Sequence, residues 1–231
     1  MKIQVLGVGG AFSPKLGNSS FIIWDKSDKK EKGLLIDCGY TVFPMLQIHN
    51  LLDKISRVFI THFHGDHAGS LDTLLQYRRF VLGERTKLIG IATTMSYLQN
   101  IDSAYDSEID EYFEQDVFEA ALTLVTPHCM GTDNTTFLYE GLLISGDTIV
   151  SLLEHDVARR PTTKVIFHDV DFSNRSPVHA SYDKLREASS EIKAKTWLYH
   201  YKEGDYHMYK DQVNKDGFAG ILRKGQILGV E

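Results

Sequence analysis

The segment Thr61–Gly69, "THFHGDHAG", sets His62, His64, Asp66 and His67 within six consecutive positions of a 231-residue chain that has ten histidines in all. The preceding "RVFI" is an apolar run rich in β-branched residues, so a strand leads straight into the cluster. In extended backbone, residues two apart share a face, which aims His62 and His64 the same way. Gly65 reads as a tight turn that brings Asp66 and His67 back toward a second point nearby. Imidazole and carboxylate together are the donor set of zinc, with manganese or iron as alternatives. A lone histidine is usually a packing residue; H-x-H-x-D-H reads as a metal site.

Four donors do not complete two metal sites, and other strand ends offer more. "ALTLVTPH" ends on His128, "LLISGD" on Asp147 and "TWLYH" on His200. Taken singly, each has a bland alternative: a capped loop histidine, a turn-forming aspartate, an interior histidine. Together they lie where ligands gathered at one edge of a sheet structure would lie. Further strands are expected at "KIQVLGV", "SSFIIWD", "GLLIDCG", "TKLIGIA", "TTFLYEGLLI" and "KVIFHDVDF", with "TWLYHY" as the last. Helices are expected over "SLDTLLQYRRFVL", with Ser70 as N-cap, and over "SYDKLREASSEIK". Strands that alternate with helices in places and pair as hairpins in others predict mixed sheets covered by helices.

The bulk figures exclude some functions. A formal net charge of −6 disfavours a protein built to grip a long nucleic acid. A hydrophobic fraction of 42% supplies a core, and one domain over 1–231 is expected. Two cysteines, Cys38 and Cys129, are too few for a disulfide framework; both read as small packed residues of a reducing, cytoplasmic protein. Neither a signal peptide nor a membrane span is apparent, and no membrane partner is expected. "GVGG" near the start is a poor dinucleotide loop, since no helix follows it. The segment 102–119 carries eight acids and no base among its aromatic residues. It reads as a solvated amphipathic helix, or as a flap or dimer contact beside the site.

The order H-x-H-x-D-H, His, Asp, His resembles the metallo-β-lactamase superfamily, and Asp37 in "LIDCG" resembles its first motif. That resemblance implies an αββα sandwich, an α/β (α+β) fold of two mixed sheets flanked by helices. It implies one zinc on His62, His64 and His128, another on Asp66, His67 and His200, and Asp147 between them, with Asp37 bracing the cluster. "IFHDVDF" resembles the H-E-A-T-F motif of the tRNase Z-like branch at His168, and "VHASYDKLREA" resembles its H-S-T segment at His179, with Ala180 in place of a hydroxyl residue. The interval 128–147 leaves no room for the long arm with which true tRNase Z enzymes clamp tRNA. A compact chain without that arm resembles the anti-Pycsar family, largely viral enzymes that hydrolyse cyclic mononucleotides such as cyclic CMP and cyclic UMP. The implied chemistry is attack of an activated water on a 3′,5′-cyclic phosphodiester. Asp66 would orient that water, His168 would protonate the leaving oxygen and His179 would contact the phosphate. A homodimer, a small cyclic-nucleotide substrate and a host-cell cytoplasm, if viral, follow from the same resemblance. RNA 3′-end processing and nucleotide sequestration without turnover are the rival expectations.

Overall fold

The computed structural model describes residues 1–24, 32–89, 96–100, 113–115, 122–129 and 132–230. Within them, two sheets lie face to face. Sheet one has the order β13-β1-β2-β3-β4-β5-β6. Its strands are β1 (Lys2–Gly7), β2 (Ser20–Trp24), β3 (Gly33–Ile36), β4 (Ile55–Phe59), β5 (Thr86–Ile89), β6 (Phe113–Gln115) and β13 (Ile227–Gly229). Sheet two has the order β12-β11-β10-β9-β8-β7, from β7 (Leu122–Cys129), β8 (Thr132–Tyr139), β9 (Leu142–Ile144), β10 (Val165–Asp169), β11 (Thr196–Tyr199) and β12 (Gly220–Ile221). Both are mixed. Hairpins give antiparallel pairs at β1–β2–β3 and β7–β8–β9, whereas β3–β4–β5 and β9–β10–β11–β12 run parallel.

Parallel neighbours need a crossover, and helices supply it. Between β3 and β4 lies α1 (Val42–Ile48); α2 (Gly65–Ala68) and α3 (Leu71–Phe80) link β4 to β5. On the other sheet the crossovers carry α4 (Asp156–Arg159), α5 (Tyr182–Arg186) with α6 (Ser190–Ala194), and α7 (Asp205–Lys215).

The strands read as unbroken apolar runs because both of their faces are covered. Along β2, Phe21 and Ile23 point into the inter-sheet core, while Ile22 packs beneath the helices with Leu71, Leu74 and Leu75 of α3. Phe21 meets Phe167 at 5.1 Å and Phe59 meets Phe137 at 4.6 Å between ring centroids, which locks the sheets together. Among the described residues, no helix is long and apolar enough to cross a membrane.

Several local expectations need correction. Ser70 does precede α3 but makes no side-chain cap; its hydroxyl donates to the carbonyl of Gly39 and accepts from the Phe43 amide, tying α1 to α3. The run 181–193 is two short helices, because Ser189 accepts from the Ile192 amide and starts a second one. After β11 the chain adds α7, β12 and β13, with β13 closing the edge of sheet one beside β1. Gly65 is not a turn residue. It opens the single helical turn α2, and a side chain there would collide with the Tyr40 ring. The acidic segment 102–119 falls outside the described residues except for β6.

Candidate metal centre

The donors arise at or just past the C-terminal ends of strands, at one edge of the sandwich. Asp37 follows β3, His62 to His67 follow β4, His128 lies in the last turn of pleat of β7, Asp147 follows β9 and His200 follows β11. Two of these residues are held in the left-handed region, Asp37 at φ 61° and His200 at φ 65°. Such backbone costs energy in residues other than glycine, so it persists where surrounding bonds enforce it. The Asp37 amide donates to Phe59 and that of His200 to Val8, both main-chain carbonyls.

Asp37 sets the orientation of two imidazoles. Its carboxylate accepts from His67 Nδ1 at 2.8 Å and from the Thr61 amide and hydroxyl at 2.7 and 2.8 Å. The Thr61 hydroxyl accepts in turn from His62 Nδ1 at 3.1 Å. His128 Nδ1 donates to the Val178 carbonyl at 2.8 Å. In each case one nitrogen is committed and Nε2 is left to face the centre.

Those free nitrogens converge. His62 Nε2 and His128 Nε2 each lie 3.1 Å from His64 Nδ1. Zinc–nitrogen bonds of ~2.0–2.1 Å in a tetrahedron put ligand nitrogens about 3.3 Å apart, so this spacing fits a metal. A second group, Asp66, His67, Asp147 and His200, also brings its donor atoms within 4.8 Å of one another. Asp147 lies between the two groups. Its Oδ2 is 3.9 Å from His62 Nε2 and from His128 Nε2, and 3.3 Å from His67 Nε2. Its Oδ1 is 3.3 Å from His200 Nδ1. Both His67 Nε2 and Asp147 Oδ1 are buried without a hydrogen-bond partner. Burying an unpaired polar atom costs about 1–3 kcal/mol, and a divalent cation would satisfy both.

Protonation matches. Burial, followed by the neighbouring His67, lowers the His62 pKa to about 2, and burial lowers His200 to about 4, so both rings are neutral at neutral pH, the form in which imidazole can take a metal. Burial raises the Asp147 carboxyl, but its pairing with the imidazoles of His200 and His67 outweighs it and holds the pKa well below the usual carboxylate range. The same holds for Asp66 beside His67 and His200. His67 differs: burial favours its neutral form, yet Asp147 and Asp37 on either side raise its pKa, so a cation entering there displaces a proton.

The second rank of residues departs from expectation. His168 is fully buried; its Nε2 accepts from the Leu152 amide at 3.0 Å and its Nδ1 donates to the Asp169 carbonyl at 2.8 Å. With both nitrogens committed, it cannot reach a leaving group and acts as a brace for the end of β10. His179 faces the cleft instead, with Nδ1 3.2 Å from Asp169 Oδ2. Burial alone would lower its pKa, but the bond to Asp169 and the charges of Asp147 and Asp169 raise it. Asp169 was missed by sequence reasoning, although it stands beside His168 where the H-E-A-T-F motif has its glutamate. Cys129, read as a packed residue, lines the cleft with Sγ 3.5 Å from His64 Nε2; Cys38 is buried against Ser70. The donors open onto a cleft of about 690 Å³, walled by the 10–13 loop, by 170–179 and by 201–205.

The profile of the family described as "Anti-Pycsar protein Apyc1" matches residues 1–228. The chain belongs to the anti-Pycsar Apyc1 family. An Apyc1 protein of Paenibacillus sp. (strain J14) is 27% identical over 227 residues, covering 88% of this chain and 90% of the relative. An Apyc1 protein of Bacillus phage vB_BveM-Goe7 is 29% identical over 263 residues, covering 97% and 96%. Among solved structures, the metallo-β-lactamase fold protein YhfI of Bacillus subtilis superposes with a TM-score of 0.72 at 15% identity, covering 98% of each chain. The architecture is therefore the metallo-β-lactamase fold. Apyc1 membership together with the donor clusters makes the chain a metal-dependent hydrolase.

Proposed function

We propose that this chain hydrolyses 3′,5′-cyclic mononucleotides to nucleoside 5′-monophosphates, and so counters signalling by such messengers. The observation that carries the reading is the coincidence of the Apyc1 match along nearly the whole chain with two donor groups between which Asp147 lies. A cleft of about 690 Å³ is of the size that takes small ligands. Residues 128–147 are taken up by the end of β7, by β8 and by β9, which supports a small substrate rather than one gripped by an added arm.

His62, His64 and His128 would hold one ion, Asp66, His67 and His200 the other, with Asp147 shared; zinc suits this nitrogen-rich set. Ions bound there supply a water nucleophile at neutral pH and positive charge for phosphate oxygens. Asp66 is ionised and faces the cleft, where it accepts a hydrogen bond from the attacking water and orients it, the water's proton passing to solvent. His179, held by Asp169, donates the proton that the departing 3′-oxygen requires. The P–O bond to the attacking oxygen forms as the P–O3′ bond breaks, giving the 5′-monophosphate. A homodimer and a place in the host-cell cytoplasm belong to the same proposal, by kinship with the family.

The test is a panel of cyclic mono- and dinucleotides, with precursor tRNA beside them, assayed with and without chelator. Turnover of a cyclic mononucleotide to its 5′-monophosphate, abolished by chelation, is the expected result. Cleavage of the tRNA alone would overturn it.

A further inference from the structure

A nucleotide held by its phosphate still needs something to hold its base. The loop 8–19 between β1 and β2 runs from the donors to the cleft rim. Gly10 packs directly on His200: a Cβ there would lie 2.9 Å from the imidazole Nε2. Two residues on stands Phe12, a cleft-lining residue that is nonetheless 98% exposed. Each residue spans at most ~3.6 Å of chain, which puts the Phe12 backbone within roughly 7 Å of Gly10. The ring and the donors thus line one cleft, close enough along the chain for a single small ligand to touch both.

A mobile loop would let such a ring fold back onto the protein and escape water. This loop is braced. The Ser13 amide donates to Gly10, Leu16 to Ser13 and Gly17 to Pro14, at 3.1, 3.1 and 3.2 Å, and the Gly9 amide donates to Gly17 at 2.8 Å. Outside it, the Lys15 amide donates to Glu203 at 3.3 Å, and the Lys15 ammonium pairs with the same carboxylate at 3.5 Å. A rigid turn therefore holds an unpacked aromatic face at the mouth of the site, where a bound base would bury it.

We propose that Phe12 is the stacking face for the substrate's base, the phosphate lying on the His/Asp donors and the nucleoside reaching from them to the loop tip. This rests on the cyclic-nucleotide reading above. Stacking accepts any base, so Phe12 contributes affinity with little discrimination among bases.

The experiment compares Phe12→Ala and Phe12→Trp with the unaltered chain on cyclic CMP, UMP, AMP and GMP, and on base-free ribose 3′,5′-cyclic phosphate. Phe12→Ala should raise KM for all four nucleotides by a similar factor, about 5- to 150-fold, the range found when stacked aromatics are truncated. The unaltered chain's preference for nucleotides over the base-free ester should collapse in that variant, and Phe12→Trp should restore it. The exposed position keeps folding out of the comparison, which equal melting temperatures verify. An unchanged KM ratio, or a changed oligomeric mass with KM intact, overturns the proposal and makes the ring a protein contact. Absence of turnover on every nucleotide by the unaltered chain would instead sink the underlying function.

Discussion

His168 and His179 both occupy motif positions, yet their surroundings give them different work. His168 has no exposed surface and spends both nitrogens on main-chain groups, so His168→Ala should act through stability. Leaving the Leu152 amide unpaired costs about 1–3 kcal/mol, visible as a lower melting temperature with metal content intact. His179→Ala should leave the fold and the metal in place while kcat drops by about 10²–10⁴-fold, as for loss of a general acid. Asp147→Asn should fail differently, with bound metal lost in elemental analysis and turnover falling to background. Nothing in the sequence separated the two histidines. Sheet two is covered on both faces, so alternation along "VIFHD" could not mark which side meets solvent. The donor cluster was legible because its chemistry is densely written in "HFHGDH", while Asp147 and His200, like the bracing Asp37, each follow an apolar strand.

At the scale of elements, the 170–179 loop depends on one carboxylate. Asp171 is 5% exposed and accepts from the Ser173 amide and hydroxyl and from the Arg175 and Ser176 amides. The same loop presents Val178 to His128 and His179 to the cleft. Asp171→Ala should therefore slacken both contacts, lowering kcat by about 10- to 100-fold through misplacement, while Asp171→Asn recovers part of it. Burial raises the Asp171 pKa, but the bonds from Ser176, Ser173 and Arg175 win and lower it overall. A depressed folded-state pKa means stability that is complete above the unfolded value, about 3.9, and lost as pH falls through the lower folded one. The loop should accordingly keep its protection from hydrogen exchange down to mildly acid pH and open only below about 4. Strands and the β8–β9 hairpin were readable from apolar runs, the latter closed by Glu140 and Gly141 at φ 44° and 86°. The split of 181–193 was not, because Ser189 looks like an ordinary helix residue until its hydroxyl is seen capping Ile192. β12 and β13 escaped because two- and three-residue strands carry too few positions to show a period.

Across the whole molecule, the site bridges the sandwich. Asp37, His62, His64, Asp66 and His67 come from sheet one, whereas His128, Asp147 and His200 come from sheet two. A cation bound by both groups therefore ties the two halves of the core together, and its binding energy is gained only when the sheets are docked. Stripping the metal should lower the melting temperature, and adding zinc should restore it along a concentration-dependent curve. Stabilisation follows RT ln(1 + [M]/Kd), about 4 kcal/mol at a thousandfold excess over Kd. Zinc binding should also release protons on titration and weaken at lower pH, since His67 is held protonated between Asp37 and Asp147 until the metal takes its place. Sheet-two variants offer the sharper check: His200→Ala should shrink the zinc-induced shift as much as His67→Ala does, although the two residues come from opposite sheets. A zinc shift lost with His67 but kept with His200 would mean a site confined to sheet one, and the bridging argument would fail.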